Sequence, residues 1–491
     1  MNINRRPVTA FVGAMLGLMG LIELAASGCA TLIGADLGAE PLFYGGAVAL
    51  LFGGFLYFSN RTQAKGDSSP SFYRREALAA VGIGWPVIIV FGALPYLFSG
   101  TTSSVADAIF ESTSGFTTTG ATVFSAERID SLPHGISLWR ALTQWIGGAG
   151  IVVVLVSILP MGGRNFFQSE VAGFDSDVRS PLARESARET LWAYLGLTVL
   201  GVGVLWLAGM TPLDAVLHSF TTIATGGFSN HGASLGHYDS WAVQGPVIAL
   251  MVLAGTSFSF FALCLRRGPG SMFTALFKST EWRLYIAIIV LFSAAIAWID
   301  QGSHPDLGTA LRHSLFQVAS LGTSTGFAST DWNGWHEVSR ALLLFLIMTG
   351  ACVGSTSGGI KLARVAILAK ATASALRRAA SPRRVTVIQM DGASVPESIV
   401  SSVIDFALLW AASLILGTLI LTACGMTMIE AVAAAGTCLG NIGPGLDRFG
   451  PAGSFAELHS AGKACMSGLM LLGRLEFYAL LIALLPRFWK D

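Results

Sequence analysis

Apolar residues run through this chain in long blocks rather than in alternation. That is the pattern of helices that cross a bilayer, each of which needs about 20 mainly apolar residues. Ten blocks, near 8–30, 41–59, 76–99, 134–162, 190–209, 241–265, 282–300, 338–372, 399–424 and 462–486, predict ten spans. An even number places both termini on the same side. The connections say which side, because Lys and Arg resist translocation and collect in cytoplasmic loops. Arg61, Lys65, Arg74 and Arg75 lie between spans two and three, and Arg164, Arg179, Arg184 and Arg188 between four and five. Arg266, Arg267, Lys278 and Arg283 lie between six and seven, and Arg377, Arg378, Arg383 and Arg384 between eight and nine. Residues 30–40, 228–243 and 324–339 hold no Lys or Arg. The alternation predicts an all-α, multi-pass membrane protein with about ten transmembrane helices and both termini cytoplasmic.

Composition narrows the class. Of 491 residues, 53% are hydrophobic and 12% charged, about half the charge of a soluble domain. The net charge of +1 recruits no polyanion. A soluble enzyme, a disordered chain and a nucleic-acid binder are excluded. Six cysteines, at 29, 264, 352, 424, 438 and 465, lack metal-ligand spacing and read as small buried apolar residues. The 57 glycines are an excess that needs a reason.

Part of the reason lies between the spans. From Asp107 to Thr122 the chain is too apolar at its start for a solvated loop and too short to cross the bilayer. A re-entrant half-helix followed by an extended Gly/Thr stretch describes it. Non-helical backbone is tolerated at membrane depth only where it is buried in protein or lines a watery cavity. The pattern returns. A shift of 107 residues puts Asp214-Ala215 under Asp107-Ala108 and Gly227 under Gly120; a third copy ends at Gly326 and a fourth, with Glu430-Ala431 at the Asp-Ala position, at Gly443. The unit of span, half-helix, Gly-bearing strand and span is therefore used four times.

The physics of that unit points to a cation. A half-helix entering from outside aims its C-terminal carbonyls, the negative end of its dipole, at mid-membrane. The strand that follows, in a backbone that glycine permits, turns further carbonyls inward. Four such strands around one axis build a ring of oxygens that replaces an ion's water shell.

On these residues the chain resembles the TrkH-type potassium uptake subunits of the Trk/Ktr/HKT superfamily, over essentially its whole length. The resemblance implies four pore repeats arranged pseudo-four-fold around one pore. Residues 1–70 would form two N-terminal transmembrane helices, 71–165 repeat one, 166–268 repeat two, 269–385 repeat three with an intramembrane loop at 350–359, and 386–491 repeat four. Gly120, Gly227, Gly326 and Gly443 match the family's signature glycines. The resemblance implies that K⁺ is coordinated by carbonyls of the two residues before each: Thr118 and Thr119, Thr225 and Gly226, Ser324 and Thr325, Asn441 and Ile442. The second copy has Gly226 where the others have Thr or Ile, which leaves its alignment open by one residue.

Span eight is interrupted by the stretch from Gly350 to Gly359, with Lys361 two residues after it and Arg364 beyond. Interior glycines cost a helix roughly 1 kcal/mol each, so a break is expected. The resemblance makes this stretch, with Gly350, Gly354, Ser355, Gly358, Gly359 and Lys361, a gate under the filter. It also makes Arg474, in the last apolar block, an electrostatic barrier in the permeation path. Glu23 and Glu281 have no assigned role beyond interhelical and interfacial placement. Asp107, Glu111, Asp214, Asp306 and Glu430 are expected to cap half-helices and to make the outer mouth negative. His134, His231, His237, His304, His336 and His459 are expected to be solvated.

The expected function is K⁺ uptake across a bacterial inner membrane through a channel-like pore, with K⁺ as substrate, no bound cofactor and no covalent chemistry. An ion-coupled symporter or a poorly selective Na⁺/K⁺ pathway is the alternative. The inner connections are too short to form a nucleotide-binding domain. The resemblance accordingly implies a homodimer in lipid, docked on a TrkA-like cytosolic subunit that carries the nucleotide. Segments 361–384 and 163–189 are the candidate contacts.

Overall fold

The computed structural model describes residues 5–60 apart from 33 and 35, together with 74–158, 183–381 and 387–489. Arg61, Lys65, Arg164, Arg179, Arg383, Arg384 and the candidate contact segment over 163–182 lie outside the described residues.

The first two helices, Arg5–Leu32 and Asp36–Asn60, pack along their length. Glycine makes this possible: a Cβ at Gly13 would lie 2.6 Å from the Tyr57 nitrogen, and one at Gly20 2.6 Å from that of Leu50. Small residues that let two backbones touch are the usual currency of helix contact in lipid. Much of the glycine excess has this use.

Among the described residues, six helices are long and apolar enough to cross a membrane, and two bent pairs raise the number to eight. The other two expected spans are the helix His134–Ile158 and the pair Glu337–Thr349 and Leu362–Ala380, which flank the break foreseen at 350–359. Two spans read as continuous are not. The block 241–265 is Trp241–Ala254 and Phe258–Arg267, bent by 88°, and the block 462–486 is Ser460–Arg474 and Tyr478–Leu484, bent by 117°. At the second bend Glu476 and Phe477 are both left-handed, with φ 51° and 65°. Hydropathy records what a segment buries, not its direction, so an apolar run hides such a turn.

The four half-helices are Val105–Phe116, Pro212–Ile223, Leu307–Gly322 and Met428–Gly440. Each packs against the second span of the preceding unit: the second against His134–Ile158, the third against Trp241–Ala254, the fourth against Glu337–Thr349. The first packs against Ser460–Arg474, which closes the set into a ring. The loops on the face bearing the half-helix N-termini, the upper face hereafter, are tied in the same cyclic order. Gly232 N donates to Asp130 Oδ1 (2.8 Å), Gly236 N to Ala328 O (2.9 Å), Asn333 Nδ2 to Asp447 O (2.9 Å) and Phe455 N to Thr122 O (2.9 Å).

Candidate functional site

Every half-helix starts with a side-chain cap. Ser104, Thr211 and Thr427 accept from the backbone N–H three residues on, and in the third copy Asp306 itself is the cap. Asp107, Asp214 and Glu430 thus stand one turn inside, where the positive end of the helix dipole favours them, and Glu430 still takes part in capping, since it accepts from Thr427 N (2.9 Å) and completes a capping box. Burial pushes the Asp107 carboxyl up, but hydrogen bonds from Lys463, Ser104 and Ser103 outweigh it and hold it below the usual carboxylate range. Hydrogen bonding from Arg448 holds Glu430 down to about 2. Glu111 is fully buried in the first half-helix against Arg140 (2.8 Å), and Asp447 meets Arg340. The expected negative mouth is therefore largely neutralised, because most of its carboxylates have a cation beside them.

Every half-helix also ends alike. The N–H groups of Thr118 and Thr119 turn back to the carbonyls of Gly115 (2.9 Å) and Ser114 (2.8 Å). The same pair of bonds recurs at Thr225 and Gly226, at Ser324 and Thr325, and at Asn441 and Ile442. This double closure with a left-handed residue satisfies orphan helix carbonyls. Thr118, Thr225, Ser324 and Asn441 have φ between 51° and 56°, and the glycine two residues on is again positive: 83° at Gly120, 77° at Gly227, 84° at Gly326 and 105° at Gly443. The second copy falls into register with the others, which resolves the one-residue ambiguity around Gly226.

The strands close a ring. A Cβ on Gly120 would strike the carbonyl oxygen of Gly226, one on Gly227 that of Thr325, and one on Gly326 that of Ile442. A Cβ on Gly443 would lie 2.7 Å from that of Thr119. Each signature glycine thus faces the preceding-residue carbonyl of the next strand, and the fourth returns to the first. Since the strand N–H groups are spent on the half-helix, the carbonyls are left over. Of the eight carbonyls at 118–119, 225–226, 324–325 and 441–442, only that of Gly226 receives a hydrogen bond among the described residues. These residues are buried, and buried carbonyls are almost always satisfied. Oxygens gathered in this way turn the negative ends of their dipoles to one another, an arrangement with the chemistry to replace a cation's water shell.

Beneath the strands lies the interruption of span eight. Gly358 N donates to Ser324 Oγ (2.8 Å), Thr356 Oγ1 to Ile223 O (3.0 Å), and Thr225 Oγ1 to Thr356 Oγ1 (3.2 Å). Gly350, Gly354 and Gly359 have φ of 71°, 75° and 80°. A Cβ on Gly358 would strike Gly440 O. Ser355 is buried and bonded to Cys352 O and Ser357 Oγ. Lys361, itself left-handed at φ 71°, folds its ammonium onto the Ser357 carbonyl. The bend in span six receives the loop: Cys352 N donates to Gly255 O (3.1 Å) and Phe258 N to Gly354 O (2.9 Å). Arg474 stands at the end of a helix, not in its middle. Its guanidinium donates to Thr356 O (2.6 Å) and Gly147 O (3.1 Å), so it binds the loop directly. Glu476 pairs instead with Arg364 (2.7 Å).

Several participants escaped the sequence reading. Glu281 does more than sit at an interface: Oε1 accepts from Val353 N (2.8 Å), inside the loop, and from Ala363 N (3.1 Å), just after it. The half-helix residue nine before the signature glycine braces the strand beyond it in three copies. Glu111 accepts from Val123 N (3.1 Å), His218 meets Ser229 Oγ (3.0 Å), and Gln317 takes the Ser329 N–H (2.7 Å) in the amide orientation that satisfies both its ends. The fourth copy has Ala434 there. Several histidines are not simply solvated: His336 and His459 cap helices, and His231 stacks on His237 at 3.9 Å. Polar residues in apolar blocks were the available signal.

A family model described as TrkH, cation transport protein, matches residues 40–490. The chain is 35% identical over 495 residues to the Trk system potassium uptake protein TrkH of Vibrio parahaemolyticus, covering 99% of each. It is 35% identical over 454 residues to the protein of the same name in Escherichia coli K12, covering 90% of this chain and 91% of that one. The crystal structure of the potassium transporter TrkH from Vibrio parahaemolyticus superposes with a TM-score of 0.87 at 34% identity, covering 99% of this chain and all of that one. With its ring of four half-helices and strands, the chain belongs to the TrkH family of cation transport proteins.

Proposed function

We propose that this protein takes up K⁺ through a pore along the axis of the four strands. The observation that carries the reading is the set of strand carbonyls, buried and almost all without a hydrogen-bond donor, on four strands that meet cyclically at Gly120, Gly227, Gly326 and Gly443. K⁺ passes among the carbonyls of Thr118, Thr119, Thr225, Gly226, Ser324, Thr325, Asn441 and Ile442, which stand in for its water shell. The four pore repeats with boundaries near 71, 166, 269 and 386 supply one strand each. The loop 350–359, with Lys361 and Arg474, is the gate: it touches two strands and its carbonyl at Thr356 is held by Arg474. No covalent step is needed, and no cofactor beyond the ion itself.

The protein works as a homodimer in a bacterial inner membrane with both termini cytoplasmic, controlled by a TrkA-like nucleotide-binding subunit. The basic end of helix Leu362–Ala380, which follows the loop, supports a regulatory contact there. Loss of regulator binding on deletion of 377–384 is the check on that contact. Flux of K⁺, Rb⁺, Na⁺ and Li⁺ into liposomes holding the purified protein tests the pore. K⁺ and Rb⁺ should pass in preference to Na⁺ and Li⁺, and Gly120→Ser and Gly443→Ser should each lose that preference. Equal Na⁺ and K⁺ flux in the unmodified protein refutes the reading.

A further inference from the structure

One of the eight strand carbonyls differs from the rest. Gly226 O accepts a hydrogen bond from Gln144 Nε2 at 2.6 Å, while Gln144 Oε1 accepts from Phe228 N at 3.1 Å. The amide spans the signature glycine, gripping the peptide groups on both sides of Gly227. Gln144 is fully buried in the helix His134–Ile158, so it reaches from the first unit into the strand of the second.

Gly226 is also the one residue at its position without a side chain. Thr119 and Thr325 bond through their hydroxyls to Thr117 and Thr323 (2.7 Å each), and Ile442 packs in an apolar cluster. These side chains wedge their strands from behind. At Gly226 the space a Cβ would take is filled by the Gln144 amide, whose Nε2 would lie 2.8 Å away and whose other atoms would be nearer. The backbone does not demand glycine: unlike Gly227, Gly226 has no positive φ. The three atoms that a Cβ there would meet first all belong to Gln144, so glycine at 226 admits that amide.

We propose that Gln144 is a positioning residue for ion selection, a substitute side chain from the neighbouring unit that wedges the second strand and aims the Gly226 carbonyl. This rests on the carbonyl pathway proposed above. The amide matches what the other strands receive from their own side chains, and it adds a donor that fixes how much of that oxygen faces the ion. Without it, the Gly226 carbonyl and the Phe228 N–H lose their partners, and the second strand is free to turn out of register with the other three.

The test is K⁺ and Na⁺ flux in liposomes for the full chain. Gln144→Ala and Gln144→Met, the second of which keeps the volume, should lower K⁺ over Na⁺ preference about tenfold, the worth of roughly one oriented hydrogen bond. Gly226→Thr with Gln144 in place should also lose preference, because the two side chains contend for one space. The double variant Gln144→Ala/Gly226→Thr restores the arrangement of the other strands and should recover most of the preference; it also guards against reading a misfolded single variant as a selectivity effect. Preference kept in both Gln144 variants, or a double variant no better than Gln144→Ala, overturns the proposal. If Gly120→Ser loses preference while the Gln144 variants keep it, the pathway stands and Gln144 alone is refuted. If Gly120→Ser keeps it too, both fall.

Discussion

Arg474 shows how one charge is held in an apolar protein. Its guanidinium donates to the carbonyls of Thr356 and Gly147, and among the described residues no carboxylate pairs with its positive charge beneath the strands. In a medium of effective dielectric about 20, unit charges ~8 Å apart repel by about 2 kcal/mol. Arg474→Ala should therefore raise unregulated K⁺ flux by roughly tenfold or more, read in liposomes without the regulatory subunit; unchanged flux would mean that the arginine only pins the loop. Glu430 offers a pH test. Its carboxyl is held down to about 2 by Arg448, whereas in the unfolded chain it titrates in the ordinary carboxylate range. The contribution is therefore fully present above the unfolded value and is lost as pH falls through the folded one. Thermal stability should decline on acidification into that window, and Glu430→Gln should flatten that part of the profile.

The broken elements gather at one place. The interrupted eighth span, the 88° bend in the sixth and the 117° bend in the tenth all converge beneath the strands. The break in the sixth span frees the Gly255 carbonyl and the Phe258 N–H, which hold the loop, and at the break in the tenth the Arg474 side chain bonds it. Glu281, at the start of Thr280–Ile299, ties Val353 within the loop to Ala363 just after it, and Thr280 N donates to Asp391 Oδ1 (2.7 Å) in the short hairpin Gln389–Ser394. Each hydrogen bond to a charged acceptor contributes roughly 1.5–3 kcal/mol. Glu281→Ala should speed amide hydrogen exchange at Val353 and Ala363 by about tenfold or more and raise basal flux. Exchange at the wild-type rate would exclude Glu281 as a restraint on the loop.

In the complete molecule the four units form a closed cycle, and each depends on the next. Half-helices pack on the preceding unit, signature glycines abut the following strand, and the upper loops are tied in the same order. An amphipathic stripe would not reveal this, since a chain buried in lipid needs no single polar face. The charge pattern makes a separate prediction about the whole chain. Reporter domains fused at either terminus should be active only on the cytoplasmic side, and activity across the membrane at one end would overturn the ten-span count.

The chain's own pattern was enough to establish the class, the places of most helices, the fourfold repetition with its recurring glycine and the break at 350–359. These depend on composition and on spacing along the chain, which a linear sequence carries in full. It did not reveal the bends after Ala254 and Arg474, the true partners of Arg474 and Glu281, or the insertion of Gln144 beside Gly226. Those rest on which residues meet across separations of tens to hundreds of positions, and hydropathy holds no record of such meetings. The case of Gly226 is the sharpest: along the chain it is an irregularity in a repeat, and in space it is the opening through which a neighbouring unit supplies the missing side chain.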